Sequence, residues 1–193
     1  MCIRDRAYGL YPMGDAEAVV SNMLDVKIGL VINATGAYVP FRQNQGITFT
    51  SASALRPGTD FKVEITNSLE CYTYIFGEET DGSSYVLFPY TEKHSPYCGI
   101  TGTRIFPRDY SLYPDDQGER DYVAVIISVQ QLDYNLVNDA ISRAQGATYD
   151  QKVGNALQGE LAGNIQFSGG ETIRFSTDVA YKGIVALVLE IVK

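Results

Sequence analysis

His94 is the single histidine of the chain, and the run "KHSPYC" sets Ser95 and Cys98 close behind it. These residue types do nucleophilic chemistry: an imidazole takes a proton while a hydroxyl or thiol attacks. Such a pair works only when base and nucleophile lie within hydrogen-bond reach and a third group orients the base. Closeness in sequence does not meet that condition. One histidine also leaves any zinc site dependent on thiolates and carboxylates. His94 therefore reads as a loop residue. No catalytic residue, metal ligand or cofactor is assigned, and the chain reads as a non-enzyme.

Cys71 and Cys98 form a second group. Cys71 starts an aromatic run, and Cys98 lies beyond the run that returns from it, so a hairpin would bring their neighbourhoods together. In an exported protein a disulfide between them would stabilise by roughly 3 kcal/mol. The other reading is two free thiols, one of them buried. Both stay open at this level.

The acidic run "PDDQGERD" carries Asp115, Asp116, Glu119 and Asp121. Calcium wants such oxygens, but the spacing departs from D-x-[DN]-x-[DN]-G, and a solvated turn is the better reading. "NAT" at Asn33 fits a glycosylation acceptor by pattern alone. Glycine-rich phosphate loops, G-x-S-x-G, H-E-x-x-H and C-x-x-C are all missing.

The elements that must carry these residues read mostly as strands. In "LRPGTDFKVEITN" a Pro-Gly turn precedes Phe61, Val63 and Ile65, which alternate with Lys62, Glu64 and Thr66. That period of two marks a half-buried strand. "CYTYIFGEE" is a second strand, "TDGSS" the turn, and "SYVLFP" the return, stopped at Pro89 because proline has no ladder donor. "DYVAVIISV" is apolar on both faces and reads as a central strand. Upstream, "DAEAVVSNML" (Asp15 to Leu24) reads as a short helix, "VKIGLVIN" as a strand, and "AYVPF" as an edge strand interrupted by Pro40. "DYNLVNDAISRAQG" has helical spacing with a stop at Gly146, and "TYDQKVGNALQGEL" a second short helix. "NIQFSG", "ETIRFST" and "GIVALVLEIV" close the chain as strands, with "FSGGET" as a hairpin turn. The expected fold class is mainly β, a two-sheet sandwich with a short helical insert at about 133–159 before the last strands.

Between Tyr90 and Arg120 the chain is loop-rich, punctuated by Pro96, Pro107 and Pro114. Loops this irregular are usually functional or disordered. Its tyrosines argue against disorder, because aromatic side chains normally pack. Tyr90, Tyr97, Tyr110 and Tyr113 are the candidate binding residues, since tyrosine gives rigid amphipathic contact area suited to proteins or glycans. The competing reading packs them onto the sandwich.

The totals narrow the class. A length of 193 residues fits one domain able to bury its own core. The net charge of −8 and the absence of any basic run exclude a phosphate-tracking nucleic-acid surface. No apolar run reaches transmembrane length. The opening "MCIRDR" lacks the apolar core of a signal peptide. Back-translated, it can read as the mosaic end of a transposon sequencing adapter. The expected organisation is therefore an adapter remnant at 1–6, a flanking segment at 7–46 ending a truncated upstream region, and the sandwich at 47–193.

The order "LRPGTDFKVEITN", "CYTYIFGEETDGSSYVLFPY" and "DYVAVIIS" resembles the bacterial family known as domain of unknown function 4384. The likeness runs from Leu55 to Ser128 and centres on Leu87, Phe88 and Pro89. Members often continue with Asn, where this chain has Tyr90. Similar long versions occur in Bacteroidetes-type bacteria. The resemblance implies an immunoglobulin-like sandwich serving as an accessory module of envelope or multidomain proteins, beside peptidase or kinase domains. It carries over no catalytic residues. The expected function is a periplasmic or cell-envelope interaction module that binds a protein or glycan partner. The alternative is the regulatory domain of a larger enzyme, cut from it by truncation.

Overall fold

The computed structural model describes residues 22–99, 102–163, 165–180 and 183–193. The expected helix at Asp15 to Leu24 falls mostly outside these residues, as do Cys2 and the "MCIRDR" segment. The last two residues of that run, Met23 and Leu24, open a strand instead.

Two sheets pack face to face. The first contains β1 (Met23–Ile32), β4 (Phe61–Asn67), β8 (Thr103–Phe106), β10 (Gln166–Ser168) and β11 (Ile173–Asp178), in the order β10-β11-β1-β4-β8. The second contains β2 (Phe41–Gln43), β3 (Thr48–Ser51), β5 (Cys71–Glu78), β6 (Ser84–Phe88), β7 (Tyr97–Cys98), β9 (Arg120–Ser128) and β12 (Ile184–Val192). Its order is β2-β3-β12-β9-β5-β6, and β7 pairs with the start of β5. The pairing of β12 with β3 is parallel, and every other ladder is antiparallel. The mainly-β sandwich with a helical insert is thus present.

The boundary expected at residue 47 does not hold. β1 lies within the segment assigned as flanking, yet it is the middle strand of the first sheet, between β11 and β4. The cause is legible in its side chains. Leu24, Val26, Ile28 and Leu30 alternate onto one face, and all four are buried between the sheets. Removing one such side chain costs about 2–5 kcal/mol, so the sandwich cannot dispense with this strand. Pro40 marks the place where the chain changes sheet. Tyr38 bridges Val31 of β1, and Phe41, one residue past the proline, pairs with β3 at the edge of the other sheet.

β9 is central in the second sheet, flanked by β12 and β5. Its two apolar faces serve two cores. Val123, Val125 and Ile127 pack between the sheets. Ala124 and Ile126 pack outward under the helices α1 (Tyr134–Arg143) and α2 (Tyr149–Ala156). The Asp133 carboxylate caps α1 by accepting from the Asn135 and Leu136 amides at 3.0 and 3.2 Å. α1 ends at Arg143, three residues before the expected stop. Ala144 turns extended, and Gly146 is then pressed against Gln151 and Lys152, where a Cβ would approach to 2.9 Å. Tyr149 and Val153 of α2 and Leu157, which caps its C-terminus, face the sheet at the i, i+4, i+8 spacing. The Tyr149 hydroxyl donates to the Gly77 carbonyl at 3.1 Å and shares a 3.0 Å hydrogen bond with Ser84. The helices are thereby fastened to the β5–β6 hairpin.

Candidate functional site

β5 and β6 form a hairpin whose inner face borders the edge of the sandwich. Gly77 of β5 stands opposite Tyr85 of β6. Without a Cβ at 77 the Tyr85 ring lies against the strand backbone. Beyond β8 the segment 107–119 crosses from the first sheet back to the second. It is held at three places. Leu112 exchanges two backbone hydrogen bonds with Phe61, at 2.8 and 2.9 Å. The Gly58 amide donates to the Pro114 carbonyl at 2.9 Å. The Tyr110 hydroxyl donates to the Leu87 carbonyl. Between this crossing and the hairpin lies a cavity of about 690 Å³, walled by Tyr85, Tyr110, Tyr113 and Tyr122 and edged by Glu78, Glu79, Asp115 and Asp121. That volume is in the range of small-ligand sites.

The charges at this mouth are partly compensated. The Lys193 ammonium, almost wholly buried, lies 2.6 Å from Asp115 and 2.6 Å from Asp121 and also donates to the Gln117 carbonyl. Lys193 holds the Asp115 carboxyl below its usual range. Burial dominates at Asp121 and pushes its carboxyl up despite the lysine. Burial likewise pushes Glu78 up, against the pull of Lys152. Burial also raises the Tyr85, Tyr110 and Tyr122 phenols, so all three are neutral donors at physiological pH. The Tyr110 and Tyr122 hydroxyls are committed to Leu87 and Glu190, so the cleft offers aromatic faces, the Tyr85 phenol and carboxylate acceptors together. Sugars and peptides are both recognised through such groups.

The four tyrosines singled out in the sequence divide. Tyr110 and Tyr113 line the cleft, the first partly buried and the second 62% exposed. Tyr90 stands beside it, edge-on to Tyr110 with ring centres 4.6 Å apart. Tyr97 does not line the cleft. It sits on β7 and meets Tyr72 edge-on at 5.6 Å. The sequence reading did not single out Tyr85, Tyr122 or Glu78, and it took Asp115 and Asp121 only as part of a solvated turn. A glycine in the middle of an aromatic strand, with a tyrosine across the hairpin, was the available signal for Tyr85.

His94 and Cys98 are engaged separately. His94 stacks on Tyr90 at 4.3 Å, its Nδ1 is 2.8 Å from the Thr91 hydroxyl, and its Nε2 is 3.3 Å from Asp109. The Cys98 sulfur lies 3.4 Å from the Thr73 hydroxyl, and Cys71 is its partner across the ladder. An acid does orient the imidazole, but the thiol beside it in sequence is turned into the sheet. Cys71 and Cys98 are both free thiols and both fully buried. Asp115 and Asp121 share Lys193, and Asp116 accepts from the Gln117 side chain, so this run is a paired turn.

One buried carboxylate escaped notice within an apolar run. Glu190 of β12 is 5% exposed and lies beyond the helices on the outer face of the sheet. It accepts from the Thr50 hydroxyl, from Arg120 and, at 3.2 Å, from the Tyr122 hydroxyl. Burial alone would raise its carboxyl, but the Thr50 and Arg120 hydrogen bonds outweigh that and hold it below the usual range.

Among the described residues no helix is long and apolar enough to cross a membrane. No family model, curated protein or solved structure matches the chain.

Proposed function

We propose that this chain is a non-enzymatic interaction module that takes a protein or glycan partner at the cleft between the β5–β6 hairpin and segment 107–119. One observation carries the reading: four tyrosines from three separate parts of the chain converge on one cavity of about 690 Å³. Tyr113 in particular leaves most of its ring in water beside carboxylate acceptors. Tyrosine, with an apolar ring and a polar tip, is enriched where partners are met. The resemblance to domain of unknown function 4384 supports an accessory role and a place in the bacterial envelope. The two-sheet sandwich is compatible with the immunoglobulin-like arrangement that the resemblance implies.

The test is direct binding of defined ligands. Oligosaccharides and short peptides of differing charge are titrated by calorimetry against the chain and against Tyr113→Ala, with circular dichroism confirming that the variant is folded. The reading expects at least one class to bind and to lose tenfold or more in affinity in the variant. Equal binding by both proteins would refute the cleft as the site.

A further inference from the structure

Cys71 and Cys98 stand directly opposite each other in the antiparallel ladder between β5 and β7. Opposed residues of such a ladder have Cα atoms about 4.5–5.5 Å apart, inside the span a disulfide bridges. Their side chains lie on the same face of the sheet, and both residues are fully buried. The Thr73 hydroxyl lies 3.4 Å from the Cys98 sulfur, which also faces the Pro96 carbonyl at 3.8 Å. The next register pair, Tyr72 and Tyr97, meets ring to ring at 5.6 Å, and the Thr73 amide donates to the Pro96 carbonyl at 2.8 Å. Three successive positions of the ladder thus hold the two strands in alignment.

We propose that Cys71 and Cys98 are a closable thiol pair whose disulfide latches β7 onto β5. β7 is two residues long, and among the described residues β5 is its one ladder partner. The segment before it carries Tyr90 and His94, whose ties to the rest of the chain are the Tyr90–Tyr110 ring contact and the His94–Asp109 pair, and a disulfide would add a covalent tie to these non-covalent ones. Lifting β7 is also what admits a reagent to sulfurs that are otherwise covered. Cys98 is the attacking group. The neighbouring Cys71 thiol, the Thr73 hydroxyl 3.4 Å from its sulfur and the Arg104 charge favour its thiolate against burial, whereas Cys71, beside Cys98 and as deeply buried, is held protonated.

The oxidant is a small external disulfide such as glutathione disulfide. The Cys98 thiolate attacks one of its sulfurs, forms a mixed disulfide and releases one thiolate. Cys71, deprotonated in turn, attacks the Cys98 sulfur and releases the second thiol. The protein pair loses two electrons and two protons, and one external disulfide becomes two thiols. The latch does not depend on which ligand the tyrosine cleft takes.

The test equilibrates the full chain in glutathione buffers from reducing to oxidising. One arm starts from folded protein and a second refolds from urea in the same buffers, so that burial does not block reaction. Acid quenching, alkylation of the unfolded chain and peptide mapping then locate the bonds. The expected result is a Cys71–Cys98 linked peptide pair in both arms, with Cys2 alkylated. Amide exchange over 90–98 should slow at least tenfold in the oxidised form. Cys71→Ser should give neither the link nor the slowing, and should hold glutathione on Cys98 instead. Alkylation of both Cys71 and Cys98 in both arms under oxidising conditions would overturn the proposal, as would linkage of either to Cys2. A link with unchanged exchange over 90–98 would overturn the latch.

Discussion

The ring of Tyr85 occupies the space that a side chain at position 77 would need: a Cβ on Gly77 would lie 2.4 Å from Tyr85 Cζ. The backbone there is ordinary strand, so the requirement for glycine comes from the ring and not from the conformation of residue 77. Gly77→Ala should therefore push Tyr85 out of the cleft at a moderate cost, about 1–3 kcal/mol by the usual scale for overpacking. Urea unfolding measures that cost. The Tyr85 ring resonances should shift toward those of an exposed tyrosine, while resonances of the distant β10–β11 hairpin stay in place.

Tyr110 and Tyr113 lie three residues apart and should respond differently to substitution. Tyr110 packs under Tyr90 and donates to Leu87, so its ring is part of what holds the crossing segment. Tyr110→Phe should cost about 1 kcal/mol for the lost hydrogen bond. Tyr110→Ala should cost more, because the Tyr90 contact goes as well. Tyr113→Ala should stay within about 0.5 kcal/mol, as substitutions at exposed positions usually do. Unfolding midpoints of the three variants in urea test this order, and a Tyr113→Ala loss equal to that of Tyr110→Ala would place Tyr113 in the packing.

Glu190 gives the fold an acid sensitivity of defined sign. Its folded carboxyl is held below the unfolded value by its donors. Its contribution is therefore complete above the unfolded value, about pH 4.3, and is lost as pH falls through the folded value. Asp121 acts in the opposite sense, since its folded carboxyl is raised by burial and its protonation relieves a cost. Urea midpoints at pH 7, 5, 4 and 3 should fall more steeply for the native chain than for Glu190→Gln. Parallel curves would show that Glu190 does not contribute to the acid loss.

The strands were legible because their chemistry is local. Alternation at Phe61, Val63 and Ile65 and the two-faced apolar run from Val123 to Ile127 each identify a strand without reference to its neighbours. The helical insert was legible for the same reason, through the spacing of Leu136, Val137, Ala140 and Ile141 in "DYNLVNDAISRAQG". The place of β1 was not, because "VKIGLVIN" states that it is a strand but not which strands lie beside it. Its partners come from β4 and from β11, far along the chain. The cleft was half legible for a similar reason. Tyr110 and Tyr113 share one loop, whereas Tyr85 and Tyr122 reach the same cavity through hairpin and sheet register. Glu190 shows the remaining limit: one charge inside an apolar strand is conspicuous, but its donors Thr50 and Arg120 are fixed by pairing alone.

The central claim is that the tyrosine cleft is where a partner is met. Amide and tyrosine-ring chemical-shift mapping, with the chain titrated by the same oligosaccharides and peptides, tests it most directly. The account predicts that a binding ligand perturbs Tyr85, Tyr110, Tyr113 and Tyr122 together, and that Gly77→Ala weakens the response. Perturbations gathered elsewhere, on Tyr97 and β7 or on the outer face of the first sheet, would contradict it.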